Sequence, residues 1–73
     1  MKNNNDLYDT IGKRLIELRK KAGYSNQESF AYEADIPRAQ YGRYEKGVNM
    51  TLKSLNTILK FHKISFGEFF KEI

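Results

Sequence analysis

The chain's single proline, Pro37, stands between two short stretches that both carry helical patterning, and it constrains the fold more than any other residue. Proline lacks an amide hydrogen and disfavours helical geometry in the residue before it, here Ile36. It is well tolerated where a helix begins, because the missing hydrogen would have no partner there. Asp35-Ile36-Pro37 is therefore a tight turn between two helices. Before it, a helix from about Asn26 to Ala34 turns Phe30, Ala31 and Ala34 inward. After it, a helix from about Pro37 to Lys46 turns Tyr41 and Tyr44 inward and ends at Gly47.

The flanking segments read as three further helices. Leu7, Ile11, Leu15, Leu18 and Ala22 recur at helical steps and form one apolar stripe, which Asp6 or Asp9 can cap and Gly23 closes. Arg19, Lys20 and Lys21 fill the last turn, where cations suit the helix dipole. Ser25-Asn26-Gln27-Glu28 has the form of a capping box that opens the second helix. Thr51 can cap a fourth helix with the stripe Leu52, Leu55, Ile58 and Leu59, continued by His62. Ser65-Phe66-Gly67-Glu68 is a second capping box, opening a short terminal helix with Phe66, Phe69, Phe70 and Ile73. Residues 1–5 are polar and aperiodic and are expected to form a disordered N-terminal tail. Residues 6–73 are expected to form one all-α domain, a five-helix bundle with no strand.

Composition narrows the function. At 73 residues and 40% hydrophobic content there is room for one modest core. The absence of cysteine excludes a disulfide framework, a thiolate zinc site and a cysteine nucleophile. His62 is the single histidine, and at the end of an apolar stripe it reads as an edge-of-core residue rather than a ligand. No paired carboxylates accompany a nucleophile or metal cluster, and no glycine-rich phosphate loop is present. An enzyme is therefore not expected, nor is a metal, cofactor or small-molecule ligand. No apolar run approaches the roughly 20 residues that span a bilayer, so a cytoplasmic location with no membrane contact is expected. The net charge of +4 favours an anionic partner. Lys13, Arg14, Arg19, Lys20 and Lys21 crowd one segment, and Arg38, Arg43 and Lys46 another. Scattered solvated charge and a binding face both fit these two sets until a fold joins them.

Two short helices across a tight turn, with a longer helix before and a pair after, form a helix-turn-helix arrangement. The residues resemble the phage-repressor (Cro/cI-type, XRE) helix-turn-helix family. The similarity lies in Ile11-Gly12-Lys13-Arg14-Leu15-Ile16-Glu17-Leu18-Arg19, in Gln27-Glu28-Ser29-Phe30-Ala31, and in the stretch from Ile36-Pro37-Arg38 to Glu45-Lys46-Gly47. It continues from Leu52-Lys53-Ser54-Leu55 through Ile64-Ser65-Phe66-Gly67-Glu68-Phe69, and so spans roughly residues 7–70. The resemblance implies a lambda-repressor-like DNA-binding domain, prokaryotic or phage-encoded, whose partner is double-stranded DNA.

It also implies roles for individual residues. The helix from Arg38 would lie in the major groove, with Arg38, Ala39, Gln40 and Arg43 at base-reading positions. The chemistry suits them: arginine donates bidentately to guanine, glutamine pairs with adenine, and alanine meets a thymine methyl. Their other reading is the solvated face of an amphipathic helix. Gln27 falls where the family has a glutamine that contacts phosphate and braces the recognition helix, and it reads equally as an ordinary exposed helix start. Asn49, Thr51, Lys53 and Arg14 are the remaining candidates for phosphate. Arg19 and Glu45 match the family's structural ion pair. Asn26, rather than Ser25, occupies the family's cap position. Gly42 lies inside the recognition helix, where glycine costs about 0.5–1 kcal/mol against alanine. Close approach to DNA or to a neighbouring helix would rationalise it.

A small transcriptional regulator, a repressor, is the expected function. The competing expectation is a protein-interaction module, antitoxin-like or adaptor, that uses the phenylalanine-rich C-terminal surface. Phe70 and Ile73 are the candidates for a homodimer contact through the terminal helix.

Overall fold

A computed structural model describes residues 4–48 and 50–71, and every regular element among them is an α-helix. The helices are α1 (Asn4–Lys21), α2 (Gln27–Ala34), α3 (Arg38–Glu45), α4 (Leu52–His62) and α5 (Phe66–Lys71). The all-α, five-helix reading therefore holds. α1 starts earlier than its capping aspartates suggested: Asp6 and Asp9 lie within the helix, as do Asn4 and Asn5. Residues 1–3 lie outside the described residues.

Each helix contributes to one core: Ile11, Leu15 and Leu18 from α1, Phe30 and Ala31 from α2, Tyr41 and Tyr44 from α3, Leu55, Ile58 and Leu59 from α4, and Phe69 from α5. Burying each large side chain stabilises the fold by about 1.5–3 kcal/mol. Phe30 is the centre of an aromatic cluster. Its ring lies 4.8 Å from Tyr41 and 5.0 Å from Phe61, and 5.1 Å from His62, on which it stacks nearly parallel. His62 is thus part of the core edge, and burial pushes its imidazole below the ordinary value.

The apolar stripes are shorter than their periodicity predicts. Leu7 and Ala22 at the ends of the α1 stripe are exposed, and Leu52 at the start of α4 is 71% exposed. Helix ends overhang a core this small, so the first and last members of a periodic stripe have nothing to pack against.

Four helices end in one way. The amides of Gly23, Asp35, Gly47 and Lys63 bond back three residues, and those of Tyr24, Ile36, Val48 and Ile64 bond back five. This is the Schellman arrangement, with the first residue of each pair in the left-handed region. Helix starts differ more. The cap of α2 is Asn26, whose side chain accepts from the Ser29 amide at 2.8 Å. The Ser25–Glu28 box is therefore not the cap, because the helix starts one residue later than that spacing requires. At α5 the box is real and reciprocal: the Glu68 amide donates to Ser65 Oγ at 3.1 Å, and the Ser65 amide to Glu68 Oε1 at 3.0 Å. Thr51 caps α4 through the Ser54 amide. Among the described residues, no helix is long and apolar enough to cross a membrane, and no cluster of His, Asp or Glu could hold a metal ion.

Candidate nucleic-acid interface

The two faces of α3 have opposite characters. Tyr41, Tyr44 and Glu45 are buried, whereas Arg38, Ala39 and Arg43 are exposed and Gln40 is half-buried. The inner face is held by a polar cluster that begins at Glu45. Arg19 of α1 donates through Nε to Glu45 Oε2 at 2.7 Å and through Nη2 to Oε1 at 3.4 Å. Its Nη1 donates to the Tyr24 carbonyl at 2.9 Å. Gln27, the first residue of α2, donates from Nε2 to Glu45 Oε1 at 2.8 Å. One carboxylate therefore joins three helices. The hydrogen bond to Glu45 holds the Arg19 guanidinium above its ordinary pKa, although burial works against it. Tyr41 lies fully buried beside this cluster. Burial first, and the Glu45 carboxylate second, push its phenol far above the ordinary range, so it stays protonated.

Backbone contact adds to the charge. A Cβ on Gly12 would stand 2.5 Å from the Glu45 carbonyl oxygen and 3.0 Å from the Gly47 nitrogen. Gly47, at φ 87, rests on Asp9, whose Cα would lie 2.9 Å from a Cβ there. The C-terminal end of α3 therefore sits directly on the α1 backbone. Sequence reasoning took Gly47 only as a helix terminator and passed over Gly12. The available signal was its cost: a mid-helix glycine is unfavourable unless another element needs the space.

The outer side of α3 connects to α4. Gln40 Nε2 donates to the Tyr44 hydroxyl, which donates to Ser54 Oγ at 3.2 Å. Thr51 Oγ1 donates to the same Ser54 Oγ at 3.0 Å. This chain ties the first turn of α4 to α3, and leaves Thr51 and Lys53 exposed at that end. Gln40 is consequently engaged within the protein rather than free. Asn49 lies outside the described residues.

Arg14 does not join this surface. It follows Gly12 by two residues, about 200° around the helix, so it points away from α3. There it pairs with Glu17 at 3.4 Å and lines a cleft with Leu18, Lys21, Ala22, His62 and Ile64. Arg19 is also removed from the surface basic set, because Glu45 occupies it. Arg38, Arg43, Lys46 and Lys53 remain exposed on α3 and the segment that follows it.

α5 exposes two aromatic rings beside its charged side chains. Phe69 is buried, while Phe66 and Phe70 lie nearly parallel with ring centres 6.4 Å apart and are exposed. Ile73, expected to join them, lies outside the described residues.

A helix-turn-helix family model matches residues 15–69. Among curated proteins, Control protein C.MunI of a Mycoplasma species is 36% identical over 70 residues, which cover 94% of this chain and 95% of that protein. No solved structure matches the chain.

Proposed function

Because the chain belongs to the Cro/cI-type (XRE) helix-turn-helix family of DNA-binding regulators, we propose that it binds a specific double-stranded operator as a small repressor, with α3 in the major groove. The observation that carries this reading is the division of α3. Its inner side is fixed by Tyr41, Tyr44 and Glu45, while Arg38, Ala39 and Arg43 project from an anchored helix. A helix held in this way meets the groove with little ordering left to do, which favours affinity.

Arg38 and Arg43 are the guanine readers in this proposal and Ala39 the thymine-methyl contact. Gln40 reads adenine if it exchanges its bond with Tyr44 for one with the base. Gln27, Thr51 and Lys53 face phosphate and set the register. Arg14, on the opposite side of α1, takes no part. Similarity to a control protein supports a regulatory role for that binding.

The exposed Phe66–Phe70 pair supports a second element of the proposal, self-association through α5. A dimer of this kind would set two α3 helices on half-sites about 34–36 Å apart. The same pair, bound to another protein, would support an interaction module instead.

Selection of duplexes from a random pool tests the reading, repeated with Arg43→Ala and Lys53→Ala. Arg43→Ala is expected to relax preference at one position. Lys53→Ala is expected to weaken all sequences alike and to make the salt dependence shallower. A wild-type chain that enriches no motif at low salt would sink operator binding.

A further inference from the structure

Gly42 lies in the middle of α3 with ordinary helical backbone, so no unusual φ calls for glycine there. Alanine would suit the helix better. What the position offers is space. A Cβ built on Gly42 would stand 3.1 Å from Gln27 Oε1 and 3.9 Å from its Cδ. The Gln27 carboxamide therefore turns its oxygen edge towards α3, into the room that the missing side chain leaves.

The orientation of that carboxamide follows from chemistry. Glu45 can only accept, so Gln27 must present its nitrogen to it, and does so at 2.8 Å. Oε1 is then the atom turned towards Gly42. One hydrogen of Nε2 is used by Glu45, and the second is left to donate elsewhere. Glu45 is itself fixed by Arg19, so the whole carboxamide inherits the rigidity of the α1–α3 contact.

We infer that Gly42 is a positioning residue: by omitting a Cβ it seats the Gln27 carboxamide between its own backbone and the Glu45 carboxylate, and so aims the free Nε2 hydrogen at the DNA phosphate. This rests on the operator-binding reading and adds to it the residue that sets the phosphate contact. Gly42 acts through Gln27 and touches no DNA itself. A different role for the glycine, clearance for the DNA backbone, makes the opposite demand, because its loss would then not depend on Gln27.

The test compares Gly42→Ala, Gln27→Ala and the double variant with the wild-type chain. The Gln27 side-chain amide is followed by NMR in the free protein, and affinity is measured for the duplex the wild type selects. The atom that an alanine would press is the far end of a flexible side chain, so Gly42→Ala is expected to fold, its gain in helix propensity offsetting part of the weakened Gln27–Glu45 bond. Its Gln27 amide resonances should move towards those of an unbonded carboxamide. Duplex affinity should fall about 10-fold, as for loss of one hydrogen bond to a charged group. The double variant should bind no worse than Gln27→Ala. Unmoved Gln27 resonances, unchanged affinity in Gly42→Ala, or losses that add in the double variant would each overturn the inference. If the wild type selects no duplex, operator binding fails and the phosphate contact of Gln27 fails with it. The resonances then still decide whether Gly42 seats the carboxamide.

Discussion

The links Asp35–Pro37 and Lys63–Ser65 are close copies that deliver different helices. Each has three residues, and each starts at a non-glycine in the left-handed region, Asp35 at φ 60 and Lys63 at φ 61. Each closes the preceding helix with the same bond five residues back, Ile36 to Ala31 at 2.9 Å and Ile64 to Leu59 at 3.1 Å. Each packs its isoleucine against the core. The difference lies in what comes next. After Pro37, which offers no side-chain cap, α3 emerges with Arg38, Ala39 and Arg43 outward and a buried carboxylate as its anchor. After Ser65, with its reciprocal box, α5 emerges with Phe66 and Phe70 outward and Phe69 as its anchor. The turn geometry therefore carries no function by itself. One turn serves a polar surface and an apolar one, and the residues after it decide which.

The largest expected effects compare the two anchors. Glu45→Ala strands the Arg19 charge in the interior and is expected to cost about 3–5 kcal/mol. Phe69→Ala leaves a cavity and is expected to cost about 3–5 kcal/mol as well. A domain of this length commands only about 4–11 kcal/mol in total, so urea unfolding should show both variants close to unfolded. A Glu45→Ala chain that loses under about 1 kcal/mol would mean that backbone contact at Gly12, and not charge, holds α3.

An intermediate effect concerns the outer faces. Phe70→Ser is expected to abolish self-association in sedimentation experiments while changing monomer stability by no more than about 0.5 kcal/mol, as for other surface positions. Arg43→Ser should leave association untouched. If both variants associate like the wild type, α5 is not the self-contact, and the contrast between the two outer faces needs another explanation.

The smallest effect concerns the turns themselves. Lys63 pays for a left-handed backbone that glycine adopts freely, so Lys63→Gly is expected to raise stability by up to about 1 kcal/mol. Asp35→Gly should gain less, since aspartate tolerates that region better. Equal gains, measured by denaturant midpoint, would remove the side-chain distinction between the two links.

Much of this architecture was legible from local chemistry. Pro37 marked the turn, Gly23 and Gly47 marked two helix ends, and the spacing of Tyr41 and Tyr44 placed them inward. The Arg19–Glu45 partnership was reached through family resemblance, since residues 26 positions apart leave no local trace. The ends of Asp35 and Lys63 were less visible as left-handed caps, because neither is glycine. Ser25 misled because Ser-x-x-Glu spacing looks the same whether or not the helix starts there. Leu52 misled because periodicity does not reveal where the core stops. Gly42 and Gln27 could not be paired from sequence, since the glycine has no side chain to suggest a partner. Arg14 has the type and charge of a phosphate contact, and its place around α1, about 200° from Gly12 and paired with Glu17, was not legible from either.

The seating of α3 on Gly12 has a mechanical consequence. With the Glu45 carbonyl packed on the Gly12 backbone and its carboxylate bonded to Arg19, the C-terminal end of α3 is tied to α1. For the operator-bound pair proposed above, half-sites spaced slightly too far or too near would not be met by swinging an α3 so seated. The strain would pass into the duplex, where it is charged according to the stiffness of base steps the protein never touches.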